Sequence, residues 1–175
     1  VGASQERMSY MATEMADGLM GSDLIPPLIR LTKTWVEEGL AQHNRAGQAF
    51  GISNFWAWHI KKDKEEAKRE ARRELVLRGV LRRRYTEVLL SKEDSDFVQK
   101  NKGVFWRAFE AGSSEIKGVP EHIIDSLIDG LSSTGDLNAI DREIERFKEF
   151  EALGLTEIAI RVHDDPVDGI KLIGE

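Results

Sequence analysis

The chain of 175 residues contains no cysteine. Disulfides, thiolate metal sites and cysteine nucleophiles are therefore excluded. Histidine is scarce as well. The four histidines (His43, His59, His122 and His163) are scattered and show no HExxH-type spacing, so no metal is assigned. No apolar run approaches the roughly 18 residues that cross a bilayer. No signal-peptide pattern precedes the first structured segment. A cytoplasmic protein with no membrane partner is the expectation. Basic charge is not in excess either. The formal net charge of -6 argues against general nucleic-acid binding, which favours basic domains. A nucleophile elbow, a Walker loop and a dinucleotide fingerprint are all missing.

The length suits one domain with a real core, but falls short of a complete (β/α)8 barrel of about 250 residues. Charged residues make up 32% of the chain, which points to long exposed helices. The chain opens Val1-Gly2-Ala3-Ser4 without a methionine, and a helical pattern begins almost at once. That reads as the end of a strand whose beginning is missing, so a fragment is expected. Ordinary methionine removal is the alternative.

Met8, Met11, Ala12 and Met15 set one apolar stripe on a helix over 5–16, with Ser4 at the N-cap position. Asp17-Gly18 ends it, and Leu19-Met20 begins a short strand. A second helix spans about 26–41, with proline in its first turn and Leu28, Leu31, Trp35 and Val36 on its apolar face. Residues 50–60 (FGISNFWAWHI) form the strongest strand, nearly free of charge and suited to burial on both faces. Asp63 then caps a long helix over 64–90. Short helices are expected at 94–101 and 104–111, and a third at 120–131 with Ile123, Ile124, Leu127, Ile128 and Leu131 inward. A turn or mobile loop follows at 132–136. Ile140, Ile144, Phe147 and Phe150 mark an amphipathic helix over 137–153, and Gly154 takes the left-handed position after it. A strand at 156–162 and a helix entered through Pro166 complete the chain. Alternating strands and helices imply a parallel sheet with right-handed crossovers. A doubly wound sheet and part of a barrel both fit.

Three groups of residues are candidates for chemistry. Gly2-Ala3-Ser4-Gln5 is a small-residue turn before a helix, where free N–H groups and the helix dipole favour an anion such as phosphate. A purely structural turn reads the same way. Lys61 to Arg84 carries eleven Lys or Arg against five acidic residues, densest at Arg82-Arg83-Arg84. It reads as a solvated helix with pairs such as Glu65–Arg69, as a polyanion site, or as a nucleic-acid surface. In the aromatic strand, alternation sends Trp56 and Trp58 to one face and Phe55, Ala57 and His59 to the other. His59 or Lys61 could reach a ligand at the strand's end. Packed tryptophans and a satisfied polar histidine explain the same pattern. Helix capping accounts for Asp94/Asp96 and Asp164/Asp165.

These segments together resemble the luciferase-like monooxygenase and coenzyme F-420-dependent oxidoreductase superfamily. Ala16-Asp17-Gly18 matches its A/M-D-G helix ending. The stretch WVEEGLAQHNRAG is similar to its E-x-G-L-x-x-x-G-R, although Arg45 and Gly47 are ordered differently. The run from Phe50 (FGISNFWAWHIKKDKEEAKREAR) resembles the seventh barrel strand followed by D-x-x-E-A, and RFKEFEALGLTEIAIRV resembles the eighth αβ unit. The resemblance covers the whole chain in order and is nearest to the methylenetetrahydromethanopterin reductases. It implies the C-terminal half of a (β/α)8 TIM barrel as a single partial-barrel domain over 1–175, with a helical insertion after strand seven at 91–136. It implies hydride transfer between the deazaflavin coenzyme F-420 and a methylene-tetrahydropterin carrier in the parent enzyme, with FMN and a monooxygenase parent as the alternative. Small-molecule substrate and cofactor are then the partners, and the isolated piece would be inactive. The family's turn after strand five contacts the cofactor phosphate, here Gly2, Ala3, Ser4 and Gln5. Its non-proline cis peptide and most ring contacts come from the first half of the barrel, so no catalytic residue is assigned. A half-barrel exposes two strand edges, so a homo-oligomer, or a non-catalytic half-barrel assembly module, is also expected.

Overall fold

A computed structural model of the chain describes residues 1–174. They form an α/β fold with parallel strand pairing and divide into two compact units, 1–56 with 142–160 and 57–141 with 161–174.

In the first unit, α1 (Glu6–Met15) is followed by β1 (Gly18–Ser22) and α2 (Pro26–Gln42). Pro26 and Pro27 suit the first turn of α2, where no intrahelical donor is lost. β1 runs parallel to the opening half of β2 (Gly51–Ile60), from Gly18 opposite Gly51 to Ser22 opposite Phe55. The opening residues join the same ladder: Met20 N donates to Val1 O at 2.8 Å and Ala3 N to Met20 O at 2.9 Å. On the other edge β4 (Glu157–Val162) meets β2, with Thr156 N donating to Ile52 O at 2.9 Å. The helices α1 and α2 approach closely because Gly39 leaves room for Thr13; a Cβ there would sit 2.4 Å from the Thr13 hydroxyl. Arg45 then closes α1 by donating to the Thr13 and Ala16 carbonyls at 2.7 and 2.8 Å. In α2 the buried face is Leu28, Ile29, Thr32, Val36 and Leu40, while Leu31 is exposed.

The predicted apolar stripe of the helix before β4 is only half used. In α8 (Ile140–Ala152) Phe150 is buried edge-on against Trp56, at 5.2 Å between ring centres. Ile144 is exposed and Phe147 half-buried. Glu143 is buried instead, paired with Arg142 at 2.8 Å and Arg146 at 3.1 Å, which satisfies its charge. Gly154 adopts φ +106 after the helix, as expected.

In the second unit the closing half of β2 pairs with β3 (Ser132–Gly135), Ala57 opposite Ser132 through Ile60 opposite Gly135. The turn or loop expected over 132–136 is therefore mostly a strand. Its Ser-Ser-Thr-Gly run carries no apolar alternation, because its small side chains bury their own hydroxyls: Ser132 Oγ donates to Ile128 O at 2.8 Å. The single helix expected over 64–90 is broken. It consists of α3 (Lys64–Glu74), two 3-10 turns at Leu75–Leu77 and Gly79–Leu81, and α4 (Arg83–Leu89). Gly79, Val80 and Leu81 all have positive φ, and a Cβ on Gly79 would lie 2.2 Å from the Tyr85 ring. Asp63 caps α3 through the Glu65 and Glu66 amides, as expected. Next come α5 (Lys92–Lys100), α6 (Lys102–Glu110) and α7 (Glu121–Leu131), whose five predicted core residues are all buried. The last helix is α9 (Pro166–Gly174).

Candidate functional site

Two clefts hold the candidate residues, one in each unit. The first lies at the turn Gly2–Gln5 and has about 680 Å³ of open space, lined by Gly2, Ala3, Ser4, Met20, Gly21, Ser22 and Phe55. Ala3 is buried and Ser4 half-buried. Helix α1 does not take Ser4 as its N-cap. The cap is Gln5, whose extended backbone (φ -146, ψ 159) lets its carbonyl accept from Ser9 N at 3.0 Å and Ser9 Oγ at 3.1 Å. No side chain caps the helix. The turn thus puts the uncapped N-terminus of a ten-residue helix beside small residues, with exposed Met20 and half-buried Phe55 forming an apolar wall. Glu6, in the first turn, is exposed and opposes an anion weakly.

The second cleft lies at the end of β2 and has a cavity volume of about 130 Å³, with Trp58, Ile60, Lys61 and Glu70 among its walls. Glu70 reaches in from α3 and is almost fully buried. It accepts from His59 Nδ1 at 2.7 Å, from Lys61 Nζ at 2.8 Å and from Asp164 N at 3.1 Å. Burial pushes His59 below the usual histidine value against the pull of Glu70, so the ring is neutral and its Nδ1–H donates. Burial also works against charge on Lys61 and Glu70. Their mutual contact, with His59 adding to the carboxylate, outweighs it, leaving the lysine raised and the glutamate lowered. His163 stacks on His59 with ring centres 4.8 Å apart. Burial first, then the His59 ring and the Arg161 and Arg78 charges, drive it down to about 3.

Of the sequence candidates, Gly2, Ala3 and Ser4 share one cleft, with Gln5 beside them as the N-cap of α1. His59 proves to be a satisfied core residue, and Lys61 stands at its own cleft tied to Glu70. Part of the basic stretch is taken up by ion pairs. Arg72 meets Glu121 and Asp125, Arg73 meets Asp164, and Arg83 meets Glu87 and Asp96. Asp164 is an ion-pair partner, whereas Asp165 does precede α9, its carbonyl accepting from Gly169 N at 3.1 Å. Glu70 and His163 gave no warning in the sequence, since one looks like any exposed helix charge and the other like a strand-end residue. Among the described residues no group of acidic or histidine side chains could hold a metal ion, and no helix is long and apolar enough to cross a membrane.

No protein-family model matches the chain. It is 26% identical, over its whole length, to a 5,10-methylenetetrahydromethanopterin reductase of Archaeoglobus fulgidus and spans about half (52%) of that curated relative. Its fold matches a coenzyme F-420-dependent tetrahydromethanopterin reductase from Methanopyrus kandleri with a TM-score of 0.71 at 18% identity, over 99% of this chain and 48% of that one. An F-420-dependent secondary alcohol dehydrogenase matches with a TM-score of 0.54 at 14% identity, over 91% of this chain and 41% of that one. An EDTA monooxygenase from Chelativorans sp. BNC1 scores 0.51 at 14% identity, over 98% and 43%. The resemblance to this superfamily read from the motifs is borne out, and the relative and structural neighbours are oxidoreductases.

Proposed function

We propose that this chain is the C-terminal half of a (β/α)8 barrel whose complete form transfers a hydride between coenzyme F-420 and a methylene-tetrahydropterin carrier. The carrying observation is the turn Gly2–Gln5, where small residues and an uncapped helix N-terminus open on an apolar-walled cleft. The residues fit the cofactor. The backbone of Gly2 to Gln5 and the Ser4 hydroxyl would hold its phosphate, and space beside Gly2 is open, with nothing within 4 Å of where a Cβ would stand. When bound, the deazaflavin supplies the hydride chemistry. This chain's part is to orient it: the helix end fixes the anion, and Met20 and Phe55 offer apolar surface to whatever lies above them. The catalytic machinery would come from the other half, so the piece alone would be inactive. The insertion after the seventh barrel strand would then be 91–136.

The test is quenching of coenzyme F-420 fluorescence, with FMN as competitor, on a chain carrying both barrel halves. Micromolar binding of F-420, weakened about tenfold by Ser4→Ala, is the expected result, in line with loss of one hydrogen bond to a charged group. Binding of FMN alone, or an unchanged affinity in Ser4→Ala, overturns the reading.

A second reading concerns assembly and rests on apolar surface open to solvent. In the first unit Ile144, Phe147, Leu155 and Ile158 line an open groove between α8 and β4. In the second, Val167 and Ile170 of α9 are each 64% exposed. Such surface suits a partner half-barrel or a homo-oligomer. Analytical ultracentrifugation of the isolated chain is expected to show a dimer at micromolar concentration. A strict monomer removes this reading.

A further inference from the structure

The segment 161–165 carries the chain out of β4 in the second unit and sits on a buried polar seat. Asp164 N donates to Glu70 Oε2 at 3.1 Å, Lys61 Nζ donates to Asp164 O at 3.1 Å, and Arg73 holds the Asp164 carboxylate at 2.6 Å. Beside them the His163 side chain is 93% buried, with its ring lying on His59. Its Nε2 has no hydrogen-bond partner among the described residues, and its Nδ1 stands 3.6 Å from Glu74, too far for a good hydrogen bond. The ionisable groups that face this ring are His59 from β2, Glu70 and Glu74 from α3, Arg78 from the 3-10 turns and Arg161 from β4. Two arginines and a second imidazole thus oppose a charge here, and Glu74 stands too far away to bond it well. A protonated His163 does not fit this seat.

Beyond the seat the chain is lightly anchored. Helix α9 buries only Gly169, whose missing Cβ would lie 2.5 Å from Val162. Asp164 and Asp165, together with Asp168, Gly169 and Leu172 of α9, form one wall of the cleft that Trp58, Ile60, Lys61 and Glu70 face.

We propose that residues 161–165 are an acid-released latch: protonation of His163 lifts this segment from Glu70 and Lys61, frees α9 and opens the cleft at the end of β2. The inference does not depend on the cofactor assigned above. An opened His163 regains an ordinary histidine affinity for protons, so lower pH favours the open form. Glu70 is held below the ordinary glutamate value, so it stays charged between pH 7.5 and 5, the window in which an exposed histidine takes up its proton.

Amide hydrogen exchange on the 175-residue chain, corrected for intrinsic rates, measures the opening. Amides of 161–165 should open about 30-fold more often at pH 5.0 than at pH 7.5, the ratio expected for an open-state value near 6.5. Core amides of α7 should change little. His163→Gln should cut the dependence to less than about threefold. A dependence kept in His163→Gln, equal weakening across α7, or no dependence in the wild type overturns the latch. Histidine NMR on the wild type gives an answer even if the variant does not fold. The His163 Cε1 resonance should stay unmoved above pH 5, and titration near 6.5 in the native state overturns the proposal.

Discussion

Asn54 grips the backbone of Leu24 from both sides. Its Oδ1 accepts from Leu24 N and its Nδ2 donates to Leu24 O, each at 2.9 Å, across thirty positions of sequence. Asn54 is completely buried and Leu24 nearly so, so neither backbone group can turn to water. Asn54→Ala leaves a buried donor and a buried acceptor unmet, at a cost of about 2–4 kcal/mol. Urea denaturation of the first unit's tryptophan signal is the check. A loss below about 1 kcal/mol would mean that water replaces the amide.

The kink at Gly79 makes a second, independent prediction. Gly79 has φ +51, and the Tyr85 ring occupies the place a Cβ would take. Gly79→Ala is expected to destabilise by about 2–4 kcal/mol, combining left-handed strain with overpacking. Straightening the chain into one helix is not open to it, because Val80 and Leu81 are left-handed too and Leu81 is fully buried. Calorimetry should show the lowered transition temperature, with helical circular dichroism unchanged.

Glu70 is the most connected buried carboxylate in the second unit, and its role has a pH sign. Its pKa lies below the ordinary glutamate value of 4.5, through His59 and Lys61 acting against burial. The stability it contributes is complete above that value and is lost as pH falls through the depressed one. Glu70→Gln should lack this acid-dependent component below pH 4.5. Glu70→Leu, which leaves Lys61 and His59 without their partner, should cost about 3–5 kcal/mol at pH 7. Stability measured by urea at a series of pH values separates the two.

Tyr10 offers a spectroscopic check on the α1–α2 contact. Its hydroxyl donates to Glu38, and this bond to a carboxylate, followed by burial and the Glu38 and Glu6 charges, pushes the phenol up to about 12. Ultraviolet titration at alkaline pH, taken as the difference from Tyr10→Phe, should place its ionisation there. Glu38→Gln should return it toward 10.

Much of the fold was legible because strong local signals agreed with the tertiary result. The charge-free run 51–60, the prolines opening α2, the Asp63 cap and Gly154 each specify a backbone state by themselves. The breaks came where long-range packing decided. Residues 75–82 look helical by composition, yet Tyr85 and Gly79 fold them back. Residues 132–135 look like a loop because serine hydroxyls, not apolar side chains, fill the site. The α8 stripe promised Ile144 inward, but burying Glu143 between Arg142 and Arg146 turns the helix. At the candidate site, the small residues of the turn could be read directly. Glu70 could not, because a glutamate on a charged helix looks the same whether it faces water or a buried histidine.

The first unit is assembled from residues 1–56 and 142–160. The bond from Thr156 to Ile52 spans 104 positions, so β2 acquires β4, one of its three strand partners, only once those further positions have been made. On a ribosome adding about 5–20 residues each second, the early strands wait several seconds for that neighbour. During the wait, one edge of the most apolar strand has no β4 beside it. Ordered synthesis therefore exposes this protein to edge-to-edge aggregation. Nascent-chain chaperones, or slowed translation before residue 142, should raise its soluble yield more than lower temperature alone.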